Sequence, residues 1–178
     1  SLLFGKETLP KEASGGQTQF SNMLLAYKAL PLPEDIKEKL KPLHQVHSYN
    51  DIRRLEPSLP ELTIDEKRNF PPVTHPLIRV HPDRDMEKSL FFTSNTSLEI
   101  GGMSFKEGKE LHTWLVNFIS NEEFYLTHEW ELNDLIMWDN RVLLHRVLPY
   151  DYSKYRRAMI RGTIEGTKPV YGPFSQIN

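Results

Sequence analysis

Cysteine is absent from the 178 residues, which excludes disulfides, thiolate metal sites and a cysteine nucleophile. Long apolar runs are missing too. Nothing approaches the length of a membrane span, and the opening SLLFGKETLP lacks the charged, apolar and small-residue regions of a signal peptide, so the expected location is the cytoplasm. Surplus charge is equally scarce. A formal charge of -2 gives no global pull towards nucleic acid or anionic membrane, so anion recognition must come from a local cluster. The chain also lacks an initial methionine, and its first residues read like the inside of a strand; the expectation is a cut rather than a natural beginning. Its length suits one domain with a sizeable core.

Residues 1–9 are β-compatible, and PKEASGGQTQF then supplies the Pro, Ser and Gly of a tight loop with Thr18 just past it. Apolar residues at helical spacing predict a helix over 21–30, and a second helix is expected over 34–47 after Pro31 and Pro33. Nine of the thirteen prolines fall between residues 31 and 82, so 50–75 reads as a loop or lid excursion. LIRVH and SLFFT flank a turn and predict a hairpin. Ser104 and Glu107 form a capping box ahead of a helix carrying Leu111, Trp114, Leu115 and Phe118. The last third holds FYLTHEWEL, DLIMWDN, RVLLH and RAMIRGTI, four alternating or short apolar stretches separated by turn residues. Antiparallel strands with covering helices predict a mainly β fold, a sandwich or jelly roll with flanking helices.

In a strand, Arg157, Met159, Arg161 and Thr163 share one face. Over four residues a strand rises about 13 Å, so two arginines there can hold different anionic groups along one cavity. A solvated arginine face is the commoner use of such a pattern. His145 ends the apolar run VLL, and Pro149 to Asp151 turn the chain back towards the arginines. An imidazole in that place serves either as a metal ligand or as a hydrogen-bonded core histidine.

WDNRVLLHRVLPYDYSKYRRAMIRGTI resembles the C-terminal signature of the taurine/2,4-dichlorophenoxyacetate dioxygenase family, whose members depend on Fe(II) and 2-oxoglutarate. GGQTQFSNMLLAYKALP resembles that family's Gly-Gly-x-Thr loop and following helix, and HPLIRVHP its His-Pro-x-x-Arg-x-His-Pro segment. The matches keep the family's order. The resemblance implies a double-stranded β-helix (jelly roll) lacking its N-terminal part here, one oxygenase domain over 1–178. It also implies His145 as an iron ligand, with Arg157 and the Thr18 hydroxyl holding the distal carboxylate of 2-oxoglutarate. Arg161 would lie nearer the metal, towards the co-substrate or an acidic group of the prime substrate, while Trp138 and Asn140 pack and turn. A planar guanidinium binds a carboxylate through two parallel charge-assisted hydrogen bonds, which lysine cannot reproduce. The implied cofactors are Fe(II), 2-oxoglutarate and O2. The implied reaction oxidises a small, acidic organic substrate, by default through hydroxylation, with release of succinate and CO2. No nucleic acid or membrane partner is expected, and self-association is left open.

A facial iron site needs two histidines and one carboxylate. In the resembled family the other two ligands form a His-x-Asp/Glu pair ahead of the Gly-Gly-x-Thr loop, a place upstream of residue 1. The one literal His-x-Asp, at His81 and Asp83, lies after the loop in a hairpin turn and is not expected to ligate. His44, His47, His112 and His128 show no convincing spacing with a carboxylate, and Asp139 and Asp151 suit turns. Three explanations stay open: a fragment, a relative without metal, or an unusual ligand set, with the strand-like start favouring the first. As given, the chain is not expected to be catalytically complete. The alternative from another class is a non-catalytic jelly-roll carboxylate-binding or assembly protein that has lost the metal site. A lectin-like sandwich is weaker, because nothing resembles a calcium site or an aromatic sugar platform.

Overall fold

A computed structural model describes residues 1–55, 58–81, 83–85, 87–93 and 99–166, with 51, 54 and 55 described by their backbone alone. In chain order, β1 (Leu2–Glu7) and β2 (Thr18–Asn22) are followed by α1 (Met23–Lys28), α2 (Glu34–Leu40), β3 (His44–His47), α3 (Tyr49–Leu55) and α4 (Ile64–Asn69). Next come β4 (Val73–Pro76), β5 (Ile78–Val80), β6 (Lys88–Leu90), β7 (Ile100–Gly101) and α5 (Phe105–Ile119). A 3-10 turn over Glu122–Phe124 leads into β8 (Tyr125–His128), β9 (Leu135–Met137), β10 (Leu143–Val147) and β11 (Ala158–Gly162). The chain divides into two compact units, one built from Ser1–Met23 with residues 120–166 and the other from Leu24–Ile119.

The first unit holds two antiparallel three-stranded sheets, ordered β11-β1-β9 and β10-β2-β8. The four short C-terminal stretches become β8 to β11, although Leu126, Leu135, Met137 and Ile160 on them are exposed. FYLTHEWEL leaves the ladder after His128, where Asn133 takes φ 70° in a turn bonded across to Gly5. Asn tolerates that left-handed conformation better than most side chains. Gly15 and Gly16 both have positive φ, and a Cβ on Gly15 would sit 1.8 Å from the Pro149 carbonyl oxygen. Only glycine lets the loop before β2 approach the segment after β10 so closely.

The second unit packs α5 on the sheet β4-β3-β7 and contains the hairpin β5-β6. Its core includes Leu77, Leu90, Ile100 and Leu115, all within 1% of complete burial. The capping box forms: the Ser104 N–H donates to Glu107 Oε2 at 3.1 Å and the Glu107 N–H donates to Ser104 Oγ at 3.4 Å. Two expectations change. The helix over 34–47 stops at Leu40, because Pro42 cannot continue it, and His44–His47 instead pairs with β4 and β7 as a strand. The helix expected from Ser21 starts at Met23, because Ser21 and Asn22 remain in β2 opposite Leu144 and Leu143. Within 50–75, α4 is opened by a full Thr63–Glu66 capping box and is followed by Pro71 and Pro72. Among the described residues no helix is long and apolar enough to cross a membrane.

Candidate functional site

The register of β2 places the first site residues. Thr18 lies opposite Val147 on β10 and opposite His128 on β8, while Phe20 lies opposite His145. Directly opposed residues share a face, and so do residues two apart on one strand. Thr18, Phe20, His128, His145 and Val147 therefore line one face of the β10-β2-β8 sheet. The Gly15–Gly16 turn delivers Thr18 to the start of β2, and the Gly16 N–H donates to the Leu148 carbonyl at 3.0 Å.

His145 is exposed as a residue, yet its ring packs 4.9 Å from the buried Trp138 indole and 6.3 Å from Phe20. That partial enclosure, and then the positive charge of Arg161, hold the imidazole below its ordinary pKa. The ring is neutral at pH 7 and offers a lone pair, the form that a metal ligand requires. The Trp138 indole N–H donates to Asn140 Oδ1 and the Asn140 amide donates to Ser1 Oγ, so the Trp-Asp-Asn stretch braces its own turn.

The three arginines separate sharply. Arg156 is largely solvent-exposed and lies 3.7 Å from Glu7, which is the ordinary surface arrangement. Arg157 is half-buried, with Nη2 donating to Thr18 Oγ1 at 3.4 Å and its guanidinium 5.7 Å from the Trp130 ring centre. Its Nε is buried and, among the described residues, has no hydrogen-bond partner. Burial pushes this guanidinium below its ordinary pKa, although an arginine keeps its charge at neutral pH. Arg161 sits on β11 opposite Leu3, exposed, and its field reaches His145. Among the described residues no carboxylate pairs with Arg157 or Arg161.

Those features suit an acidic ligand. A buried N–H without an acceptor costs about 1–3 kcal/mol, and a carboxylate would satisfy it. For a metal, His145 fits as one donor, but among the described residues no group of three metal-capable side chains gathers. His81 is used locally, since its Nδ1 accepts the Asp83 N–H at 3.2 Å. His112 is buried and its Nε2 bonds the Thr93 carbonyl at 2.8 Å, while His128 Nε2 lies 3.0 Å from Asp134 Oδ2. Asp139 binds Arg141 at 2.8 Å, and Asp151 caps the turn at Ser153 and Lys154.

Two groups were not legible as site residues. Trp130 joins Thr18 through its indole N–H at 2.9 Å; its alternation with His128 was the available signal. In the second unit, a cavity of about 410 Å³ is lined by His47, Tyr49, Phe70, His75 and Phe91 among others. His47 is pushed down to about 4 by burial, then by His75 and Arg79.

Comparison with known proteins follows the same lines. Residues 1–163 match the model of the family described as taurine catabolism dioxygenase TauD, TfdA family. A 2,4-dichlorophenoxyacetate dioxygenase dependent on alpha-ketoglutarate, from Burkholderia sp. (strain RASC), is 36% identical over 92% of this chain and 53% of its own length. An alpha-ketoglutarate-dependent sulfate ester dioxygenase from Pseudomonas putida is 30% identical over 89% of this chain and 53% of its own. Among solved structures, AAD-2 in complex with Mn(II) and N-oxalylglycine aligns with a TM-score of 0.79 and 38% identity, covering 94% of this chain and 63% of that one. A taurine dioxygenase from Burkholderia xenovorans aligns at 0.75 with 25% identity, over 98% of this chain and 55% of that one. The chain thus spans about half the length of the curated relatives it matches. With a family model covering nearly all the described residues and a shared mainly β jelly-roll fold, the chain belongs to the TauD/TfdA dioxygenase family.

Proposed function

We propose that the protein is a dioxygenase that uses Fe(II), 2-oxoglutarate and O2 to hydroxylate a small acidic organic substrate, releasing succinate and CO2. The single observation that carries this reading is the half-buried Arg157, whose unpartnered Nε and Thr18-linked Nη2 form one donor cluster in the same unit as His145. Similarity to proteins named as alpha-ketoglutarate-dependent dioxygenases supports it.

In this reading Arg157 and Thr18 hold the distal carboxylate of 2-oxoglutarate, and the guanidinium presents two parallel N–H groups to it. The buried Thr18 and the Trp130 ring beside Arg157 shield that ion pair from water, which strengthens it. His145 would hold iron through a neutral ring nitrogen, and its lowered pKa favours that unprotonated form. Bound iron with 2-oxoglutarate supplies the oxidising chemistry; the protein's part is to bind, orient and exclude water. Arg161, exposed and without a carboxylate partner among the described residues, takes the acidic group of the prime substrate or the co-substrate's other end. A single oxygenase domain over 1–178, a substrate-discriminating role for 50–75 and a cytoplasmic location belong to the same reading.

The second reading, a non-catalytic carboxylate-binding jelly roll, is favoured by one observation: the described residues do not bring three metal-capable side chains together. The two readings separate on product. Incubation with Fe(II), 2-oxoglutarate, isotopically labelled O2 and aryloxy acids, sulfonates or sulfate esters should place one labelled oxygen in the prime product. Products without labelled oxygen across those acidic classes would remove the hydroxylase reading.

A further inference from the structure

Thr18 is 3% exposed, and the two side chains that bond its hydroxyl are both pure donors. The Trp130 indole N–H gives its hydrogen to Oγ1 at 2.9 Å, and Arg157 Nη2 gives one at 3.4 Å. A hydroxyl has two acceptor positions and one proton of its own. With both acceptor positions filled, that proton must leave in a third direction, and among the described residues no side chain accepts it. The neighbouring Arg157 Nε–H is also without an acceptor. Two buried donors side by side call for a group that only accepts, such as a carboxylate.

We propose that Trp130 is a positioning residue of the dicarboxylate pocket: its indole N–H occupies Thr18 Oγ1 and thereby turns the Thr18 hydroxyl into a donor towards the bound carboxylate. The indole is held for this role from several sides. His128 meets it edge to face, with centroids 4.8 Å apart at 87°, and is itself bonded to Asp134 Oδ2 at 3.0 Å. The same Asp134 oxygen accepts the Glu131 N–H at 2.8 Å, which fixes the turn that carries Trp130. Gly5 leaves room for the ring, since a Cβ there would stand 3.2 Å from Trp130 Cε3. A ring needed only for packing would not require its one polar atom to point at a buried hydroxyl.

The proposal rests on Arg157 and Thr18 anchoring 2-oxoglutarate, and the test separates the two. Binding of 2-oxoglutarate and of 2-oxobutyrate, which lacks the distal carboxylate, is measured by calorimetry on the Fe(II)-loaded protein without prime substrate. Trp130→Phe keeps an aromatic ring and removes the N–H; it should weaken 2-oxoglutarate about tenfold, the order of one lost hydrogen bond, and leave 2-oxobutyrate unchanged. In Thr18→Val the same substitution should have no further effect, because the hydroxyl it orients is gone. Equal affinity of Trp130→Phe and wild type for 2-oxoglutarate, or an equal loss for both acids, overturns the proposal while leaving the anchor reading intact. Wild-type protein that does not distinguish the two acids removes both. Should Trp130→Phe fail to fold, the wild-type indole N–H serves instead: its hydrogen exchange should slow on adding glutarate and not on adding butyrate, and no difference between them overturns the proposal.

Discussion

Arg157 and Thr18 stand 139 residues apart in sequence, yet the guanidinium Nη2 lies 3.4 Å from the Thr18 hydroxyl oxygen. The contact joins the residue just before β11 to the first residue of β2, and the glycine turn ahead of β2 makes it reachable. Removing the guanidinium leaves a bound carboxylate in a poorly solvated place. Arg157→Ala should therefore weaken 2-oxoglutarate by roughly 2–5 kcal/mol, with Arg157→Lys recovering only part of it. Titration calorimetry checks this, and an affinity equal to wild type would contradict the assignment.

His145→Ala should abolish iron-dependent turnover and reduce Fe(II) retained after gel filtration, because it removes the imidazole proposed to ligate. Full metal retention would show that His145 does not ligate.

Gly15→Ala should destabilise the first unit by at least about 2 kcal/mol, since φ +89° and a Cβ 1.8 Å from the Pro149 oxygen combine strain with a backbone clash. Gly166→Ala is the control, with nothing within 4 Å of its Cβ. Urea unfolding midpoints measure both. Equal midpoints for the two variants would mean that the loop does not approach Pro149 as described.

Stability should fall in mildly acidic solution. His47 is depressed to about 4, and His75 and His145 are lowered as well, each chiefly by burial. Their folded pKa values lie below the unfolded value of about 6.5, so the unfolded chain binds protons first and stability drops as pH falls from there towards 4. The lowered carboxylates of Glu66, Glu87 and Glu107 add to the loss from about pH 5 downwards, where the unfolded chain begins to protonate its own. The urea midpoint should be lower at about pH 5 than at about pH 7.5, and His47→Phe should shrink the difference. An unchanged midpoint would show that the imidazoles are not buried neutral.

Local rules were readable where one interaction decides the outcome. The Ser104–Glu107 capping box, the hairpin of β5 and β6 and the four C-terminal strands all follow from spacing and turn residues. His44–His47 was not readable, because a strand whose partners lie far along the chain, at Val73–Pro76 and Ile100–Gly101, looks like the tail of the preceding helix. The same limit applies to the site. Thr18, His145, Arg157 and Arg161 could be named from motifs, but Arg156 and Arg157 are adjacent in sequence and only burial distinguishes the solvated one from the unpartnered one. Trp130 stayed hidden because its importance is one hydrogen-bond direction, which no pattern of residue types records.

The most direct test of the proposed activity is succinate formed from 2-oxoglutarate by the purified full-length protein in air, with Fe(II) and with a chelator. Succinate should appear with Fe(II), disappear with the chelator and fall to background in His145→Ala. Saturable 2-oxoglutarate binding without any Fe(II)-dependent succinate would contradict the oxygenase and leave a carboxylate-binding protein in its place.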